Sequence, residues 1–183
     1  MDIQTGRIAE ARQVPSPNCD ERPANCVPDL IVIHGISLPP GEFGGPWIDA
    51  LFCNELDPDA HPYFEEIADH TVSSHLLIRR DGELIQYVSL NARAWHAGES
   101  CHEGRERCND FSIGIELEGT DELPYTAEQY TCLGAVVRSI RGAYPKLREV
   151  PLVGHSDIAP GRKTDPGPAF DWENLTALLR DAS

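Results

Sequence analysis

The sequence predicts a single α/β domain over residues 1–183, with a mixed central β-sheet flanked by α-helices. Three observations lead there. Two short apolar runs, DLIVIHG (29–35) and VPLVGH (150–155), lack polar alternation and read as strands covered on both faces. Asp81-Gly82 between two apolar segments marks an antiparallel hairpin. Residues 126–143 repeat apolar side chains at helical spacing. Strands interleaved with helices, one pair antiparallel, require a mixed sheet with helices on its faces.

In chain order, residues 1–28 form a mostly extended N-terminal segment, because VPSPNCDERPANCVP (14–28) carries four prolines. Leu30–Ile33 is the first buried strand, ending in His34 and Gly35. LPPGEFGGP (38–46) is a loop; Trp47 to Phe52 and Tyr63 to Ala68 read as short helices. VSSHLLIRR (72–80) and ELIQYVSL (83–90) are the hairpin, with Asp81-Gly82 as a two-residue turn of positive φ. FSIGIELEG (111–119) alternates, with Phe111, Ile113, Ile115 and Leu117 on one face and Ser112, Gly114, Glu116 and Glu118 on the other. Thr126 and Gln129 have capping-box spacing ahead of Leu133, Val136, Val137 and Ile140. Asp171 caps a last helix, Trp172 to Arg180.

Composition narrows function. Lys+Arg is 15 against Asp+Glu 30, a formal net charge of −15. Such a surface repels phosphates and disfavours nucleic acid or an anionic membrane as partners. No apolar stretch reaches the ~20 residues of a spanning helix, and the N-terminus lacks a basic start followed by an apolar run. A cytoplasmic protein is expected. Its six cysteines are then reduced, and no C-x-x-C supports a thiolate zinc site. No heptad seam or apolar stripe calls for a partner subunit, so a monomer is expected.

His34 and His155 both follow a buried apolar run, and ligands gather at strand ends in such sheets. Asp165 follows in the Gly- and Pro-rich loop GRKTDPGP, stiff enough to hold a carboxylate. Two imidazoles and a carboxylate suit a hydrolytic Zn2+ site with its fourth position open to water. Taken singly, either histidine would equally serve as a hydrogen-bonded structural residue. Glu116, beside Gly114, is the leading base; the glycine leaves room for substrate or metal, and burial would raise the carboxyl pKa into a useful range. Glu116 facing solvent like Glu118 fits the alternation equally well. Lys163, one of only two lysines, either stabilises an oxyanion or is an ordinary surface lysine. His75 lies in a strand pattern, His96 in the loop RAWHAG, and His61, His70 and His102 among polar neighbours.

SLPPGEFGGPWIDALF (37–52), LIRRDGELIQYV (77–88), RAWHAG (93–98), GRERCNDFSIGIELEGTD (104–121) and GHSDIAPGRKTDPGPAFDW (154–172) together resemble the 1,6-anhydro-N-acetylmuramyl-L-alanine amidases, within the amidase-2 and peptidoglycan-recognition fold. The resemblance runs from about residue 12 to 175 and is far more specific than a short motif. It implies His34, His155 and Asp165 as zinc ligands, Glu116 as general base and proton shuttle, and Lys163 as oxyanion stabiliser. It implies hydrolysis of the amide between the lactyl group of an anhydromuramyl sugar and L-alanine, in cytoplasmic peptidoglycan recycling, with an indirect influence on β-lactamase induction. Trp95, His96, Arg107 and Asn109 would contact the small anhydromuropeptide substrate, Arg107 by a bidentate grip on a stem-peptide carboxylate. Gly35 and Thr71 depart from the Asn and Arg of the family pattern, both substrate-contact positions. Two rivals remain: a non-catalytic muropeptide-binding module, against which all three ligand positions speak, and a periplasmic amidase acting on sacculi.

Overall fold

The computed structural model describes residues 1–180. Its frame is a six-stranded sheet in the spatial order Leu152–Gly154, Leu30–Ile36, Ser112–Glu118, Leu76–Ile78, Leu84–Gln86 and Arg12–Gln13. The first four strands are parallel, 76–78 and 84–86 are antiparallel, and the last pair is parallel. This is the expected mixed sheet flanked by helices.

One face is apolar across its central strands. Ile31, Ile33, Leu76, Ile78, Ile113, Ile115 and Leu117 pack with Leu133, Val136, Val137 and Ile140 of the helix Ala127–Ala143, and with Leu175 of the helix Trp172–Arg180. Each such buried aliphatic side chain contributes about 1.5–3 kcal/mol. The long helix starts as its residues dictate. Gln129 N–H donates to Thr126 Oγ1, and Thr126 N–H to Gln129 Oε1. The Gln129 side-chain amide also donates to the carbonyls of Ile78 and Glu118, fastening the helix to two strand ends. Asp171 caps the last helix by accepting from Asn174 N–H at 2.9 Å.

The other face carries two smaller apolar clusters and the functional side chains. Leu30, Val32, Ala97, Cys108, Phe111 and Ile158 form one cluster. Leu38, Leu51, Phe52, Phe64, Leu77 and Tyr87 belong to the other, under the short helices Trp47–Phe52 and Phe64–Ile67. Phe111 thus packs away from Ile113, because the strand begins only at Ser112. All seven residues of that strand are buried, so its polar alternation marks an interior polar face.

Local geometry departs from the sequence reading at three points. The hairpin turn has three residues, 80–82. Gly82 N–H donates to Arg79 O at 2.9 Å and Arg79 N–H to Glu83 O at 2.9 Å. Gly82 alone takes positive φ, at 86°, so this is a type I turn closed by a glycine bulge. His34 lies inside its strand, which continues to Ile36 along the central strand. His155 opens the helical turn His155–Ile158, whose first N–H, from Gly154, donates to Asp157 Oδ2. All six cysteines are free thiols, and no helix among the described residues is long and apolar enough to cross a membrane.

Candidate functional site

The parallel register sets Glu116 opposite His34 on neighbouring strands, so both side chains leave the polar face side by side. His155, at the end of the adjacent 152–154 strand, completes a row of three. Asp165 arrives from the 159–167 loop. Ser156 N–H donates to Asp165 O, and the Tyr125 hydroxyl donates to Pro166 O at 3.0 Å.

Three atoms converge. His34 Nδ1 and His155 Nδ1 are 3.0 Å apart, and Asp165 Oδ2 lies 3.3 Å from the first and 3.1 Å from the second. A tetrahedral zinc with bonds of ~2.0–2.1 Å has ligand–ligand edges of about 3.3–3.4 Å, so the triangle is close to one face of that polyhedron. The outer ring atoms are already engaged. His155 Nε2 faces Ala97 O at 3.2 Å, an acceptor only, so Nε2–H donates there and Nδ1 is the atom turned to the triangle. His34 Nε2 faces His96 Nδ1 at 2.8 Å. Burial, aided by His155 and Lys163, holds His34 down to about 4 against the pull of Asp165, so its imidazole is neutral at pH 7. Burial alone would raise Asp165, but its contacts with His155 and His34 outweigh that and leave it well below the usual carboxylate range. Two imidazole Nδ1 atoms and a carboxylate oxygen therefore converge on one point, an arrangement that a cation would complete. The donor set and its spacing fit zinc.

Glu116 stands next to this triangle, its Oε1 4.0 Å from His34 Nδ1. It accepts no hydrogen bond among the described residues. Burial first, and the Asp165 charge second, push it well above the usual carboxylate range, with Lys163 pulling the other way. Lys163 is exposed on the rim of the same cavity. That cavity, about 300 Å³, is walled by Leu38, Tyr63, His70 and Trp95 and floored by the triangle and Glu116.

The remaining expected contacts divide between the cavity, the loop behind it and a separate surface depression. Trp95 lines the cavity and its indole N–H donates to Asp20 Oδ1 at 3.2 Å. His96 is largely buried beside His34, where it also lines the cavity, and both its ring nitrogens are engaged inside the protein. The space beside Gly114 is filled by this ring: a Cβ at 114 would stand 2.5 Å from His96 Cγ. Asn109 is buried too, its Oδ1 accepting the N–H groups of His96 and Ala97 at 3.1 and 2.8 Å, so it pins the loop. Arg107 is exposed and lines a separate depression of about 450 Å³ with Glu99, Cys101 and Ile158. At Gly35 a Cβ would meet the Tyr125 hydroxyl at 2.5 Å, so in this chain the tyrosine occupies that space; Thr71 is exposed. Sequence reading gave no role to Ser112 or Tyr125, although Ser112 shares the strand face of Glu116, two positions from Gly114.

Residues 24–168 match the Amidase_2 family, described as N-acetylmuramoyl-L-alanine amidase. The 1,6-anhydro-N-acetylmuramyl-L-alanine amidase AmpD of Enterobacter cloacae is 60% identical over 183 residues, covering 100% of this chain and 97% of that protein. The Escherichia coli K12 enzyme of the same name is 60% identical over 98% of this chain and 97% of its own length. A crystal structure of a selenomethionine AmpD derivative superposes with a TM-score of 0.95 at 60% identity, over 98% of this chain and 99% of that one. The E. coli amidase AmiD, solved with the substrate anhydro-N-acetylmuramic acid-L-Ala-D-γ-Glu-L-Lys, gives a TM-score of 0.59 at 29% identity, over 94% of this chain and 60% of that one. Sequence match across the length and an aligned frame agree with the convergent His/His/Asp group, and the chain belongs to the N-acetylmuramoyl-L-alanine amidase family.

Proposed function

We propose that this amidase hydrolyses the amide between the lactyl group of a 1,6-anhydro-N-acetylmuramyl sugar and L-alanine of the stem peptide, with zinc held by His34, His155 and Asp165. The observation that carries the metal reading is the triangle of His34 Nδ1, His155 Nδ1 and Asp165 Oδ2, with edges of 3.0–3.3 Å. Zinc there supplies a Lewis acid for the scissile carbonyl and a water acidified toward a pKa of ~7.

The chain's own residues do the rest. Glu116, poised high by burial and without a hydrogen-bond partner among the described residues, takes the proton of the attacking water and returns it to the departing amine of L-alanine. Lys163, at the rim, faces the oxyanion that develops on the carbonyl oxygen. Tyr63, Trp95 and Leu38 give the cavity apolar walls against the sugar and exclude water from the reacting bond. Arg107 grips a stem-peptide carboxylate outside the cavity. The protein acts as a cytoplasmic monomer in cell-wall recycling.

The test is release of free anhydromuramyl sugar from a soluble anhydromuropeptide, before and after chelation and zinc restoration. Turnover that survives complete metal removal refutes the metal reading. Faster cleavage of intact sacculi than of the soluble substrate refutes the recycling assignment.

A further inference from the structure

Behind the donor triangle lies a chain of hydrogen bonds whose directions can be assigned from its far end. Ser112 Oγ is 2.6 Å from the carbonyl oxygen of Cys108. A carbonyl oxygen has no proton, so at that distance the hydroxyl proton lies between them. Ser112 Oγ then meets His96 Nε2, 3.0 Å away, as an acceptor, and Nε2 carries the proton. Neutral His96 therefore has a lone pair at Nδ1, which accepts from His34 Nε2–H at 2.8 Å. That leaves His34 with a bare Nδ1, the atom at the centre of the triangle.

The relay is held rigidly. His96 is buried, its backbone N–H donates to Asn109 Oδ1, and its ring lies against the bare backbone of Gly114, where a Cβ would approach Nδ1 to 2.6 Å. Gly114 is fixed in turn: its N–H donates to His75 Nδ1 at 3.0 Å, and its carbonyl accepts from Ser74 Oγ at 2.9 Å.

We propose that His96, oriented by Ser112 and seated on Gly114, is the positioning residue that sets the tautomer and ring orientation of His34 and thereby presents its Nδ1 lone pair to the metal. This rests on the metal reading of the His34, His155 and Asp165 group. It gives His96 a task other than touching substrate, and gives Ser112 and Gly114 a shared one.

Two measurements test it. Long-range ¹⁵N–¹H correlation spectra of the metal-free protein report which ring nitrogen of each histidine is protonated. His96 and His34 are expected to be Nε2–H; a proton on His96 Nδ1 overturns the proposal. Zinc dissociation constants by chelator competition are then compared among wild type, Ser112→Ala, His96→Leu and His96→Asn. Loss of an outer partner of a metal-bound histidine weakens binding by about 10–100-fold, and this is expected for Ser112→Ala and His96→Leu. His96→Asn, whose amide oxygen replaces Nδ1 as acceptor, is expected to recover most of the affinity. A merely space-filling role would not be rescued in this way. Zinc affinities equal to wild type in both Ser112→Ala and His96→Leu refute the relay. Ser112→Ala removes one oxygen atom and remains readable should the buried leucine fail to fold. Wild type that binds no zinc refutes the metal reading instead, while the spectra still decide the hydrogen-bond directions.

Discussion

Glu116→Gln separates what the carboxylate does for chemistry from what it costs the fold. The wild-type group is 7% exposed, accepts no hydrogen bond among the described residues, and has the Asp165 anion for company. An ionised carboxylate buried without a partner costs several kcal/mol. Lys163 and the open mouth of the cavity offset part of this, so the isosteric neutral amide is expected to stabilise the metal-free protein by about 2 kcal/mol at pH 8. At 2–4 °C per kcal/mol for a domain of this size, Tm rises by about 4–8 °C. The sign follows from the direction of the shift. Glu116 is raised in the folded state, so its favourable neutral form is fully present below the unfolded value of ~4.3 and is lost as pH rises through the folded one. The advantage of the glutamine variant is therefore absent in acid and grows with pH. Zinc shrinks it, because a dication beside Glu116 favours the ionised form. Thermal melts in chelator from acid to pH 8 measure it, alongside turnover, which falls by about 10²–10⁴. A variant less stable than wild type at pH 8, or a difference that does not change with pH, refutes the reasoning.

Asp165→Asn removes the only anion of the triangle; zinc affinity by chelator competition is expected to fall by at least about 10-fold, with the melting transition of the metal-free protein still cooperative. Lys163→Ala is expected to lower kcat by about 10²–10³ while leaving zinc affinity intact, as steady-state kinetics and metal analysis will show. Arg79→Met strips the cation from Glu118, a pair at 3.0 Å with side chains 9% and 2% exposed. Breaking such a pair costs about 3–5 kcal/mol, read as a Tm lowered by roughly 6–20 °C.

Features settled within a few residues were legible in the sequence. The reciprocal Thr126–Gln129 cap and the Asp171 cap stand where the spacing puts them, because each is completed by groups three positions away. The buried strands were legible because apolar runs bounded by Gly and Pro leave few alternatives. His34, His155 and Asp165 were legible as residue types following apolar runs or in a stiff loop, although His34 lies within its strand, and the sheet register brings them together. Asp81-Gly82 misled because the dipeptide also serves the three-residue turn, and only the Arg79–Glu83 pairing distinguishes the two. The burial of His96 and Asn109 was hidden for a different reason. Both sit in loops that look exposed; the missing side chain at Gly114 on a distant strand makes room for the His96 ring, and Asn109 is turned inward to accept the N–H groups of His96 and Ala97.

The central strand explains why so much of the site hangs on one segment. Its polar positions alternate at period two on a single buried face, and each does something different. Ser112 orients His96, Gly114 makes room for that ring, and Glu116 stands at the donor triangle. Glu118 accepts from Arg79, from Arg80 N–H and from Gly44 N–H at 2.7 Å, tying the 38–46 loop, and with it the Leu38 wall, to the sheet. A one-residue slip of this strand would carry all four positions to the apolar face and Ile113, Ile115 and Leu117 to the polar one. The buried apolar face packed on the long helix forbids that slip, and so holds the register between Glu116 and His34. Substitutions that loosen this packing, such as Leu133→Ala with an expected cost of about 2–5 kcal/mol, should lower stability while leaving the zinc affinity of the folded fraction unchanged. Zinc affinity falling in proportion to stability would show that the donor triangle is set by the core itself and not by the local hydrogen bonds behind it.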